Sequence, residues 1–219
     1  MARAFTPPVV LDTNLLVYAF ADIGLFQRVK PDELVKACIG RHAFHLVRCR
    51  IMAPSMIAGV ELRRTMTRMI MIKGVTSEDR LAILSNIIKY VERILERWRK
   101  LGKCEIVDSW SVRVLRRAAG CYNRLARSGH AKWARGKHQG FVILATAELY
   151  NAAILTADSD FPILVERMGS STPLYFVEIS KDGEFHIKKK NIESIPCLDE
   201  ILDICKEKCR KILSPASPQ

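Results

Sequence analysis

Four carboxylates stand where a strand end or the apolar side of a helix has no structural use for charge. Asp12 follows the apolar run of VVLDTNLL, Glu61 lies inside APSMIAGVELRRT, and Asp158 and Asp160 close ILTADSDF. An acid on the inward side of a helix is costly unless something pairs with it. Carboxylates too close together to ionise without a counter-charge suit a divalent cation, and Mg²⁺ and Mn²⁺ prefer such hard oxygen ligands. An ion held there activates a water and stabilises a leaving oxygen, the chemistry of a metal-dependent phosphodiesterase. Taken singly, each acid has a plainer use: Asp12 with Thr13 and Asn14 as a helix start, TADSDF as an Asx-rich turn. Their recurrence at strand ends and on an adjoining helix favours a shared site.

The elements that must position these acids are legible as short β-branched runs separated by helical patterns. VVLD at 9–12, RIMAPS around 50–55, CEIVD at 104–108, AAILTAD at 152–158 and PLYFVEI at 173–179 read as strands apolar on both faces. Such strands, alternating with helices, imply a mainly parallel central sheet in a three-layer α/β/α sandwich. Open parallel sheets bind ligands beyond the carboxyl ends of their strands, which is where Asp12 and Asp158 fall. Between Thr76 and Lys103, Leu81, Leu84, Ile88, Val91, Leu95 and Trp98 recur at steps of three and four, the mark of a long amphipathic helix with a basic outer face. A second basic stretch runs from Arg113 to His138 with Tyr122 and Trp133 interleaved. The expected organisation is one domain over 1–180 with an enlarged helical region at 76–138. A C-terminal extension over 181–219 packs on it: a turn and short strand in KDGEFHIKKKN, a helix from Leu198 to Leu213, and a frayed SPASPQ tail.

A length of 219 residues with 49% hydrophobic content suffices for one substantial core. The longest apolar region, Phe141 to Ala157, is interrupted by Glu148 and falls short of the roughly 18 uncharged residues of a membrane span. MARAFTPPVVLD lacks the pattern of a secretory signal, and seven irregularly spaced cysteines do not resemble a disulfide framework, so a cytoplasmic protein is expected. The net charge of +12 would attract polyanions, of which nucleic acid is the commonest inside cells, although basic side chains also simply solvate helix faces.

LDTNLL after a first strand, PS then ELRR on the next helix, and ATAELYNAAILTADSDF before a last apolar strand resemble, in that order, a PIN domain, the metal-dependent ribonuclease fold of VapC-type toxins. The resemblance runs from Val9 to Ile179. It implies an endoribonuclease whose Asp12, Glu61 and Asp158 hold one or two Mg²⁺ or Mn²⁺ ions, with Asp160 a further acid and Asn14, Ser55 and Thr156 in support. Expected partners are RNA, an antitoxin or other protein, and further copies of the chain in a homo-oligomer. Arg124, Arg127, Lys132, Arg135 and Lys137 are the expected phosphate contacts.

Where the family carries a third acid, at the start of the helix before its last acidic strand, this chain has Gly140 in KHQGFVILATA. Each lost carboxylate removes a counter-charge that a second divalent ion needs. Lys137, three residues earlier, could supply a cation in place of that ion, or it and His138 could lie in a solvated basic loop. The competing class is a non-catalytic PIN-fold module that binds RNA or protein.

Two further groups invite metal. Cys38, His42, His45 and Cys49 in CIGRHAFHLVRC are spaced four, three and four apart, yet on one helix they stack along a face and cannot all converge on one Zn²⁺ without outside ligands. Cys205 and Cys209 lie one turn apart in DICKEKCRK. Both are read as packing faces. No GxGxxG, P-loop or GxSxG pattern supports a dinucleotide, nucleoside-triphosphate or serine-hydrolase site.

Overall fold

The computed structural model describes residues 7–12, 14–15, 31–45, 51–54, 104–108, 111–181 and 184–213, together with Ser85, Lys89, Arg93, Glu96, Arg99 and Lys100. Six strands form one sheet: β1 (Val9–Leu11), β2 (Ile51–Pro54), β3 (Cys104–Val107), β4 (Ala153–Thr156), β5 (Leu174–Ile179) and β6 (Phe185–Lys190). Their order is β3-β2-β1-β4-β5-β6. Every pairing is parallel except that of β5 with β6, where Leu174 faces Lys190 and Ile179 faces Phe185. All five expected parallel strands are present, and the short strand expected after Ile179 is the antiparallel edge.

The β1 residues Val9, Val10 and Leu11 and the β4 residues Ala153, Ile154 and Leu155 are fully buried, which accounts for runs with no polar alternation. The α-helices among the described residues include α1 (Pro31–His45), α2 (Val112–Leu125), α3 (Ala131–Ala134), α4 (His138–Leu149), α5 (Asp160–Arg167) and α6 (Pro196–Leu213). In α2, Val114, Ala118, Cys121 and Leu125 point inward, and Ser111 caps the helix by accepting the Val114 N–H at 3.4 Å. In contrast, α4 is buried without a break from Phe141 to Ala147, as a helix must be when it lies between the sheet and α2. Arg117 of α2 meets Glu148 of α4 at 2.5 Å on the outer side of that contact.

The chain moves from β1 outward to β2 and β3, then returns to β4 on the other side of β1. Right-handed crossovers assign α1 to one face and α2, α4 and α5 to the opposite face, an arrangement compatible with three layers. The direction of winding reverses between β1 and β4.

The C-terminal segment is built into this frame. β6 extends the sheet, and Leu198, Ile201, Leu202, Cys205 and Cys209 bury one side of α6, which packs against α1. The helix starts at Pro196, two residues earlier than its apolar spacing suggests, because proline fits the first helical position, where no N–H partner is needed. Tyr175 from β5 accepts the buried Ile195 N–H just ahead of it. Cys197 is disulfide-bonded. Cys38, Cys121, Cys205 and Cys209 are free thiols. Among the described residues no helix is long and apolar enough to cross a membrane. Of the long helix expected over 76–103, Ser85, Lys89, Arg93, Glu96, Arg99 and Lys100 are helical and exposed, as its outer face should be. The SPASPQ tail lies outside the described residues.

Candidate active site

Asp12 leaves β1 at the reversal between β1 and β4. Its N–H still continues the ladder, donating to Leu155 O at 3.0 Å, while its C=O accepts the Leu15 N–H at 3.1 Å and starts the next helix. The side chain is only 5% exposed. Burying a carboxylate there requires donors, and Thr156, the last residue of β4, supplies one: its hydroxyl donates to Asp12 Oδ2 at 2.6 Å. The Thr156 hydroxyl oxygen itself accepts the Asp158 N–H at 2.9 Å. Since an N–H can only donate, the hydroxyl proton must go to Asp12, and Thr156 fixes both acids at once. Asn14 ties the crossing from the other side, its Oδ1 accepting the Ala157 N–H at 3.4 Å.

Asp158 is both an edge acid and a turn. Its Oδ1 accepts the Asp160 N–H at 2.9 Å and its C=O accepts the Phe161 N–H at 3.1 Å, so the Asx turn read as the plainer alternative is present and opens α5. Asp160, the first residue of α5, is ion-paired with Lys137. Lys137 precedes the first turn of α4, and its ammonium also lies 5.7 Å from the Trp133 ring, whose other cationic neighbour is Arg167 at 4.6 Å. Lys137 thus meets one of the expected acids, and His138 begins α4.

Gly140 has a packing reason. A Cβ there would stand 3.3 Å from Leu164 Cδ2 and 3.9 Å from Phe161 Cζ. A carboxylate at this position would start off toward the apolar side of α5 instead of into an acidic cleft. The absent side chain lets α4 and α5 approach closely, the approach across which Lys137 meets Asp160.

The basic stretch reaches this edge in pieces. Past α2 the helix widens into a π-helical turn over Ala126–His130, interrupted at Ser128 and at Gly129, whose φ of 84° is available to glycine and costly for other residues. A second left-handed glycine, Gly136 at φ 80°, turns the chain from α3 into Lys137. Arg124 donates to Met168 O at 3.3 Å, and Arg127, Lys132 and Arg135 are exposed. Three exposed cations thus precede in sequence the lysine that pairs with Asp160.

Glu61 and Ser55 lie outside the described residues. Among the described residues, Asp12, Asp158 and Asp160 do not by themselves bring three carboxylate oxygens within 4.8 Å of one another; the one His/Cys/Asp/Glu group that tight is Cys38, His42 and Cys205. The edge therefore offers carboxylate and amide oxygens of Asp12, Asp158 and Asn14, a donor set that suits Mg²⁺ or Mn²⁺ and not a soft metal. The Cys/His group went unrecognised as a unit because its members belong to α1 and α6, at opposite ends of the chain. Set beside models of known families and beside curated proteins, the chain matches none.

Proposed function

We propose that the chain is a PIN-like, divalent-metal-dependent endoribonuclease working at the carboxyl edge of β1 and β4. The observation carrying this reading is Asp12, a buried carboxylate at the reversal point of a parallel sheet, held by Thr156 together with Asp158. Ligand sites of open α/β sheets lie at such reversals, and a buried acid with no packing role is the usual sign of one. Asp12 and Asp158, joined by Glu61 in this reading, would hold Mg²⁺ or Mn²⁺, which lowers the pKa of a bound water and polarises a phosphoryl oxygen when present. Thr156 and Asn14 keep those groups in register. Lys137 neutralises Asp160, which lowers the negative charge of the edge and suits a single ion. Arg127, Lys132 and Arg135 hold RNA phosphates, which orients a strand without reading its bases. In this reading the protein is a three-layer sandwich acting in the cytoplasm, as a toxin restrained by a protein partner or as an RNA-processing nuclease.

Purified protein incubated with structured and single-stranded RNA plus Mn²⁺ or Mg²⁺ should cleave it. Asp12→Asn should lower the rate by more than about a hundredfold, since outer partners of metal sites alone cost roughly ten- to a hundredfold. Equal cleavage by both proteins would remove Asp12 from the site. No cleavage by either would favour a second reading, a binding module, for which the apolar surroundings of Gly140 and the Lys137–Asp160 pair speak.

A further inference from the structure

An i, i+4 pair on one helix spans a single edge of a tetrahedron, so Cys38 and His42 on α1 cannot enclose a metal alone, and neither can Cys205 and Cys209 on α6. The fold packs these two helices against each other. Cys38 Sγ lies 3.8 Å from His42 Nδ1, and one donor atom each from Cys38, His42 and Cys205 falls within 4.8 Å of the others. Cys209, one turn on from Cys205 along α6, is buried as well but lies outside that tight group. Adjacent donors around tetrahedral zinc, at Zn–S of about 2.3 Å and Zn–N of about 2.0 Å, stand about 3.5–3.8 Å apart. The crossing of α1 and α6 therefore brings three donors of one tetrahedral shell together, and Cys209, on the same buried side of α6, is the thiol available for the fourth.

We propose that Cys38, His42, Cys205 and Cys209 form a closed structural site for a soft divalent cation, zinc by preference, that clamps α6 to α1. Thiolate and imidazole donors select such an ion over Mg²⁺ or Mn²⁺, and four protein ligands leave no open position for a substrate. The inference is independent of the reading of the acidic edge.

The thiolates are the metal ligands, so loading releases the thiol protons to solvent. His42 Nε2 accepts from Lys208 Nζ at 2.8 Å, and Nδ1 therefore carries the ring proton, 2.8 Å from Cys38 O. On loading, Nδ1 takes the ion, the ring proton moves to Nε2, and the exposed Lys208 head turns to water. Three thiolates and a divalent cation leave one negative charge, which Lys208 offsets from nearby.

Cobalt tests the site. The full-length protein, purified under reductant, stripped by chelator and titrated with Co²⁺ without oxygen, should bind one equivalent with intense visible bands and a near-ultraviolet thiolate-to-cobalt band. Zn²⁺ should bleach both. Cobalt on the oxygen-rich edge would be octahedral and give only weak bands, so the two sites are distinguishable. Cys205→Ser and His42→Ala should weaken binding by about tenfold or more, the least that loss of a direct ligand should cost. His42 is only half buried, so that variant should keep its circular dichroism and still report if Cys205→Ser fails to fold. Cys121→Ser, a thiol outside the cluster, should bind as the parent does. A parent protein with no tetrahedral cobalt spectrum, thiol titration finding Cys38 in a disulfide, or an unchanged spectrum in His42→Ala would overturn the proposal.

Discussion

Replacing Thr156 with valine keeps the shape of a fully buried side chain and deletes one hydroxyl. That hydroxyl makes a charge-assisted bond to Asp12 Oδ2 at 2.6 Å and accepts the Asp158 N–H at 2.9 Å. The first contributes about 1.5–3 kcal/mol and the second about 0.5–1.5 kcal/mol, so Thr156→Val should cost about 2–4 kcal/mol. Thr146 supplies the control. It is equally buried, but its hydroxyl bonds only to Val142 O in its own helix at 2.7 Å, and Thr146→Val should cost about 1 kcal/mol or less. Specificity for the carboxylate is read from a double-mutant cycle with Asp12→Asn, followed by urea unfolding in chelator. Asparagine still accepts the hydroxyl, as a neutral partner, so the coupling is the difference between a charged and a neutral bond, about 1–1.5 kcal/mol. Coupling below about 0.5 kcal/mol, the scatter expected of independent sites, would refute the claim that Thr156 serves the charge on Asp12.

Three other outcomes follow. Tyr175→Phe strands the buried Ile195 N–H ahead of α6 and should lower stability by about 1–3 kcal/mol in a thermal melt; an unchanged midpoint would mean that contact contributes nothing. Burial raises the Asp199 carboxyl, but hydrogen bonds from Lys189 and Ser194 outweigh it and hold the group below its ordinary value. Its stabilisation is complete above the unfolded pKa of about 3.9 and lost as pH falls through the lower folded value, so stability should rise with pH across that acidic window, with a shallower slope in Asp199→Asn by acid titration. Lys132 and Arg135 are exposed, and substituting both by glutamine should reduce the slope of log affinity for single-stranded RNA against log salt by about 1.4, near 0.7 per phosphate released; an unchanged slope would place the RNA elsewhere.

The strands were legible because burial on both faces leaves an unbroken apolar run, and Asp12 and Asp158 stood out as the residues that end such runs. Their adjacency was not legible: nothing local in AILT says that it lies beside VVL, since the pairing is a property of the winding order. Gly140 shows the opposite failing. Compared with a family pattern it is a missing acid, whereas Leu164 Cδ2, 3.3 Å from where its Cβ would be, makes it a packing position. The basic stretch reads as one run, but left-handed Gly129 and Gly136 cut it into turns. For the cysteines, the argument that one helix cannot surround an ion holds on α1; what a local reading lacks is the second helix, which only the packing of α6 on α1 supplies.

The bond from Thr156 to Asp12 joins residues 144 apart in the chain. During synthesis at about 5–20 residues per second, Asp12 is made roughly 7–30 s before the residue that holds it. Until β4 enters the sheet beside β1, the acids of the carboxyl edge are separate groups on an unfinished polymer. The switch-point geometry is thus a clock as well as a place: the edge is complete only once Thr156 has been made and has folded back beside Asp12.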